Sequence, residues 1–145
     1  MFSNAKHYVI VERHMVEVIC LEERFTQQLK KGVLELLVLE TVCKGSTYGY
    51  ELLTHLKEYS NDVFTLKEGT LYPILYRLED DGMIESSWSQ GEGRVAPKKM
   101  YTVTEKGKME RENRWRIWKE FSDTVTAFYQ EGDTRNDEKK NEKIY

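Results

Sequence analysis

Apolar positions along this chain change period repeatedly, and each change marks an element. From Thr26 onward, Leu29, Val33, Leu36, Leu37 and Val42 recur at three- and four-residue spacings, with Leu34, Val38 and Leu39 filling in. That period predicts a helix buried on much of its circumference, the central strut of the domain. Lys44-Gly45-Ser46-Thr47 breaks it, and Ser46 or Thr47 can cap a second helix from about Tyr48 to Tyr59. In that helix Leu52, Leu53, Leu56 and Tyr59 are expected to face inward, with Tyr48 and His55 elsewhere on the wheel. Gly49, near its start, allows another backbone to approach closely. Ser60-Asn61-Asp62 reads as a turn anchored by Phe64.

The next stretch, Thr65 to Gly82, organises the rest. Thr65 and Glu68 have capping-box spacing, so a helix is expected from near Leu66. Gly82 can take the left-handed conformation that closes it, giving about four turns. Pro73 lies inside these limits with Gly69 four residues back, where a kink is expected. Leu71, Ile74, Leu75 and Leu78 share one side. The other side carries Gly69, Tyr72, Pro73 and Tyr76, flanked by Thr70 and Arg77, with Lys67 just before. A merely solvated face would show Lys, Glu and Gln. These residues offer hydrogen bonds and flat apolar contact, which suits base edges, thymine methyls and phosphates. The alternative, equally weighted for each tyrosine, is packing on neighbouring elements.

After Gly82 the pattern alternates. Met83 to Ser89 reads as a strand, Gln90 to Pro97 as a turn-rich hairpin tip, and Lys98 to Thr104 as the returning strand. Two helices joined by a short turn and followed by a hairpin describe a helix-turn-helix with a wing, whose second helix enters a major groove. Arg94 at the tip either reaches into the adjacent minor groove or onto phosphate, or belongs to a solvated basic loop. Thr104 then caps a last helix to about Tyr129. Trp115, Trp118, Ser122, Val125 and Tyr129 follow a three-four repeat that Ile117, Phe121 and Phe128 widen. A small domain already closed by three helices and a wing has little core left to cover such a stripe. We therefore expect Trp115, Trp118, Phe121, Val125 and Phe128 to pack against a second copy, which can coexist with folding back on the first helix.

The two ends are less patterned. Val9, Ile10, Val11, Val16, Val18, Ile19 and Leu21 make residues 1–24 an extension that is a strand, an added helix or a disordered or loosely attached segment, or else a stretch ahead of a later true start at Met15 or beyond. Residues 131–145 mix both charge signs with almost no apolar residues and are expected as an unstructured tail. The expected organisation is an extension (1–24), a mainly α domain with a small β-hairpin (α+β) over 25–104, a dimerisation helix over 105–130, and the tail.

Gly69-Thr70-Leu71-Tyr72-Pro73, then Leu75, Arg77-Leu78-Glu79 and Gly82, resembles the signature of the PadR family of winged-helix transcriptional regulators. Upstream, Lys31-Gly32 and Tyr48-Gly49-Tyr50-Glu51-Leu52 resemble its first and second helices; downstream, Lys98, Tyr101, Thr104 and Glu105-Lys106-Gly107 resemble its wing exit and fourth helix. The resemblance covers about residues 26 to 129. It implies a winged helix-turn-helix that binds double-stranded operator DNA as a homodimer through its C-terminal helices, and a family that includes responders to phenolic acids and drugs. Trp115 and Trp118 therefore either pack structurally, the favoured reading, or enclose a flat aromatic effector. The expected DNA-binding set is Tyr48, Lys67, Thr70, Tyr72, Tyr76, Arg77, Arg94, Lys98 and Lys99. The wing departs from the family pattern, in which Gly-Arg is followed soon by Lys-Tyr: here Gly93-Arg94 is separated from Lys98-Lys99-Met100-Tyr101 by Val95-Ala96-Pro97.

Composition tests this reading. A formal net charge of −3 over 145 residues argues against nucleic acid, because Lys and Arg drive phosphate binding. What matters is the local patch, and Arg94, Lys98 and Lys99 cluster in the wing, Lys30 and Lys31 in the first helix, and Lys67 and Arg77 on the recognition helix. A winged helix that binds a protein through Tyr72 and Tyr76 is the alternative, and it has no need of the basic wing. An enzyme is not expected: the sequence has no nucleophile beside a base, no phosphate-cradling loop and no cofactor motif. Cys20 with His7 and His14 lacks metal-ligand spacing, and both Cys20 and Cys43 are expected as thiols. No long apolar run spans a membrane and no secretory signal is evident, so a cytoplasmic location is expected.

Overall fold

A computed structural model describes the backbone of residues 3–141 and the side chains of residues 15–131 other than Val18 and Leu21. The elements run α1 (Ser3–Cys43), β1 (Thr47–Tyr48), α2 (Gly49–Tyr59), α3 (Glu68–Asp80), β2 (Ile84–Trp88), β3 (Lys99–Val103) and α4 (Glu105–Asn141). The mainly helical winged fold expected from the sequence is present. Helix α1 passes residue 24 without a break, so the backbone of the extension is helical from Ser3. Helix α4 continues through residues 131–141, where a tail was expected, and residues 142–145 lie outside the described residues.

The core forms where the apolar stripes of α1, α2 and α3 meet the sheet. Leu34, Val38, Leu39 and Val42 of α1, Leu52 and Leu56 of α2, Leu71, Ile74, Leu75 and Leu78 of α3, with Met83, Ile84 and Tyr101, make one buried cluster. Each fully buried leucine is worth about 1.5–3 kcal/mol relative to exposure. Tyr59, expected inside, is mostly exposed; its ring lies 4.1 Å from that of His55, and the Lys44 ammonium sits 5.7 Å from its centroid. The α2 stripe ends at Leu56 because the chain turns one residue after Tyr59.

Two expected caps are relocated. At α2 neither Ser46 nor Thr47 caps the helix. Glu51 reaches back to accept the Tyr48 N–H at 3.2 Å and the Thr47 hydroxyl at 3.1 Å. Thr47 and Tyr48 instead form β1, paired with Tyr101 and Met100 of β3, a strand too short for periodicity to reveal. At α3 the Thr65–Glu68 box does not form, because the Thr65 hydroxyl donates to the Asp62 carbonyl at 2.9 Å and closes the preceding turn. In that turn Asn61 and Asp62 take positive φ values of 48° and 66°, a conformation these two residue types tolerate. Helix α3 therefore starts at Glu68 and runs through Pro73.

The end of α3 follows expectation closely. Gly82 has φ of 73°, its N–H bonds the Glu79 carbonyl at 3.0 Å, and the Met83 N–H bonds the Leu78 carbonyl at 2.9 Å. This is a Schellman closure. The chain then enters an antiparallel sheet of order β1-β3-β2, with Ser86 opposite Tyr101. Thr104 donates its hydroxyl to the Gly82 carbonyl at 2.7 Å and accepts the Gly107 N–H at 3.1 Å, so it caps α4 and pins it to the end of α3. Gly107 is required there: a Cβ would lie 2.0 Å from the Met83 carbonyl oxygen.

Helix α4 runs antiparallel to α1 over its first turns. Arg111 forks onto Glu40, with Nη2 to Oε1 at 3.0 Å, while the Trp115 indole N–H donates to Glu40 Oε2 at 2.9 Å. The Glu40 carboxyl is held below its ordinary value mainly by the Arg111 hydrogen bonds, against the opposing effect of burial.

Candidate nucleic-acid interface

Helix α3 seals the core with one face and presents the other to solvent. The centre of the outer face is Gly69, Pro73 and Tyr76, and Tyr76 is 71% exposed. Its flanks meet neighbouring helices while staying partly open to solvent. On one flank Tyr72 lies against Gly49 at the start of α2, where a Cβ would be 2.8 Å from the tyrosine oxygen. On the other, Thr70, Pro73, Ile74 and Arg77 line an open cleft of about 450 Å³ with Lys31, Leu34 and Glu35 of α1. Arg77 does not point freely outward. Its Nε and Nη2 both lie 3.5 Å from Glu35 Oε2.

The other expected residues divide in the same way. Lys67 and Thr70 are exposed at the helix start, and Arg94 is exposed at the wing tip. The tip is shaped by the Val95 N–H on the Glu92 carbonyl at 3.1 Å and by Gly93 at φ 62°. The chain passes close to Gly91 on its return: a Cβ there would lie 2.3 Å from the Val95 carbonyl oxygen. Pairing of the strands extends past β2 through the Ser89 N–H on the Lys98 carbonyl at 2.8 Å. That places the Lys98 ammonium 5.7 Å from the centroid of the Tyr48 ring, so these two residues form one cation–π unit. Lys99 turns inward. Its Nζ lies 3.5 Å from Glu79 Oε2 and 5.6 Å from the Tyr101 centroid, while Glu79 also accepts the Ser86 hydroxyl.

Glu35 and Glu79 stand outside the set expected from the sequence, and they contact two of the cations expected to bind phosphate. A signal existed for the first. Glu35 and Glu40 are the charged residues in the mostly apolar run from Val33 to Val42, and a carboxylate on a mostly buried helix needs partners. Glu79, in an acidic run beside Asp80 and Asp81, gave no such sign.

On α4 the expected dimerisation residues separate. Trp115 is half-buried against Glu40, whereas Phe121 is 61% exposed, with Val125 and Phe128 exposed beyond it. The ring of Trp118 lies 6.3 Å from that of Phe121. The α1–α3 cleft and a second cleft of about 520 Å³ between Cys43 and Glu112 are lined by neither Trp115 nor Trp118. Burial raises the pKa of the Cys43 thiol. The side chains of His7 and His14 lie outside the described residues, and among the described residues no three His, Cys, Asp or Glu side chains group as metal ligands. Among the same residues no helix is long and apolar enough to cross a membrane.

Comparison with known proteins places this arrangement. Residues 38–113, from α1 to the first turns of α4, match the transcriptional regulator PadR-like family. The chain is 35% identical over 78 residues to the negative transcriptional regulator PadR of Bacillus subtilis, which covers 54% of this chain and 42% of that relative. It thus spans less than half the length of that protein. A PadR-like transcriptional regulator from Bacillus cereus has a similar structure, with 33% identity, a TM-score of 0.60, and coverage of 71% of this chain and 97% of that one. Bacillus subtilis PadR in complex with operator DNA matches at 34% identity and a TM-score of 0.52, covering 59% of this chain and 47% of that one. With its matched segment spanning more than half its length, the chain belongs to the PadR-like family of transcriptional regulators.

Proposed function

We propose that the protein is a homodimeric repressor that binds a palindromic operator. The carrying observation is the outer face of α3, where Tyr76, Pro73, Gly69 and Thr70 stand open to solvent while Leu71, Ile74, Leu75 and Leu78 anchor the helix to the core. In this reading α3 enters the major groove and the wing brings Arg94 to the minor groove or its phosphates. The exposed stripe from Trp118 to Phe128 joins two copies, so that two α3 helices meet half-sites about one DNA turn apart. The solved complex of the Bacillus subtilis relative with operator DNA supports the DNA reading. A flat aromatic effector bound along the α4 stripe would release the operator by favouring a dimer with the wrong half-site spacing.

The test is fluorescence anisotropy of the protein titrated onto duplex from its own upstream region and onto scrambled duplex, at two salt concentrations. Sequence-dependent binding that weakens with salt is expected, together with a loss of preference in Tyr76→Ala and Thr70→Ala. Equal binding to both duplexes would favour the protein-interaction reading, in which the same tyrosine face meets another protein.

A further inference from the structure

One carboxylate on α1 joins the helix that faces DNA to the helix that faces the partner. Glu35 Oε1 accepts from Arg114 Nη1 of α4 at 2.7 Å, while its Oε2 is approached by Arg77 of α3 at 3.5 Å. The two bonds are unequal in length and in setting. The Arg114 side chain is 25% exposed and its bond is short, whereas Arg77 is 55% exposed and directs both its nitrogens at one oxygen at the limit of hydrogen bonding. The neighbouring Glu110 Oε2 is 3.9 Å from Arg114 Nε, too far for a hydrogen bond, so Glu35 is the nearer acceptor.

We propose that Glu35 is a positioning residue through which α4 sets the availability of Arg77 for DNA. With Arg114 in place, the single negative charge of Glu35 is already engaged and its hold on Arg77 is weak. Arg77 is then displaceable by a phosphate, from a cleft that Thr70 and Lys31 also line. If α4 shifts on α1 and withdraws Arg114, the carboxylate turns its whole charge to Arg77 and draws it off the DNA face. Arg114 lies one turn before Trp118, where the exposed apolar stripe begins, so whatever covers that stripe acts on this contact. The proposal rests on the reading of Arg77 as a DNA contact.

The test is the same anisotropy titration, with the full chain, its own upstream duplex, and a set of variants whose folding is checked by circular dichroism and melting. Arg114→Gln should weaken specific binding by about fivefold, the scale of one exposed ion pair, and lower the slope of log affinity against log salt by about 0.9, one phosphate contact. Glu35→Gln should bind at least as tightly as the parent, and adding it to Arg114→Gln should restore both affinity and slope. In an Arg77→Ala background all these differences should vanish. Arg77→Ala binding as well as the parent would remove the underlying DNA contact. Arg77→Ala weakening binding, while Arg114→Gln and Glu35→Gln act equally with and without Arg77, would overturn the proposal alone and leave Glu35 a brace between helices.

Discussion

The hydroxyl of Tyr72 rests over Gly49, so close that a Cβ on the glycine would lie 2.8 Å from the oxygen and 3.2 Å from the ring carbon that bears it. The first residue of α2 thereby sets the angle at which a tyrosine of α3 leaves its helix. Gly49 is expected from the sequence to admit another backbone; it admits a side chain from α3.

Gly49→Ala should therefore change DNA binding more than stability. The clashing atoms are the far end of a flexible side chain, which can swing away at little cost, so the melting temperature should fall by only a few degrees, about 1 kcal/mol or less. Specific affinity should drop measurably by anisotropy, and Gly49→Ala should add nothing to Tyr72→Ala. A full additional loss in the double variant would mean that the glycine serves something other than Tyr72.

Arg94 at the wing tip is expected to contact phosphate or the minor groove. Arg94→Ala should weaken binding to specific and scrambled duplex alike and reduce the salt slope by about 0.9 if one phosphate contact is lost. Lys98→Ala should do less on the same assay, because the Tyr48 ring draws the Lys98 ammonium over its face and restrains its reach to phosphate. An unchanged slope in Arg94→Ala would place the tip away from DNA.

The exposed stripe of α4 makes its own prediction. Phe121→Glu puts a charge into the middle of a surface that also carries Trp118, Val125 and Phe128, and should convert the proposed dimer to monomer by sedimentation. Phe121 is exposed and no member of the core cluster, so the monomer should keep its helical circular dichroism. A monomeric parent would overturn the dimer itself, and a variant that stays dimeric would place the interface elsewhere.

Stability toward acid follows from Glu40. Its carboxyl is held below the ordinary value, so it contributes stability that is complete above that value and is lost as pH falls through the lowered one. The loss should begin as pH falls into the ordinary glutamate range. Glu40→Gln should flatten this part of the melting-temperature profile and cost about 1–2 kcal/mol at neutral pH, since Arg111 and the Trp115 indole lose a charged acceptor. Trp115 emission should report the same transition, because its N–H bonds that carboxylate at 2.9 Å.

Periodicity determined a good deal of this protein. It located the α3 stripe from Leu71 to Leu78, the Gly82 closure, the Thr104 cap and the hairpin, because each depends on residues within a few positions of one another. Residue types on the outer side of α3 were legible for the same reason. What the sequence could not decide was which of those residues stand free. Arg77 and Lys99 read as uncommitted cations until Glu35, 42 residues earlier, and Glu79, 20 residues earlier, are folded against them. Likewise Trp115 belongs to the apolar stripe by spacing and to Glu40 by packing. Pairings of this kind depend on how α1 lies across α3 and α4. A one-dimensional period carries the face of a helix but not the neighbour that meets it, and only the tertiary structure supplies that neighbour.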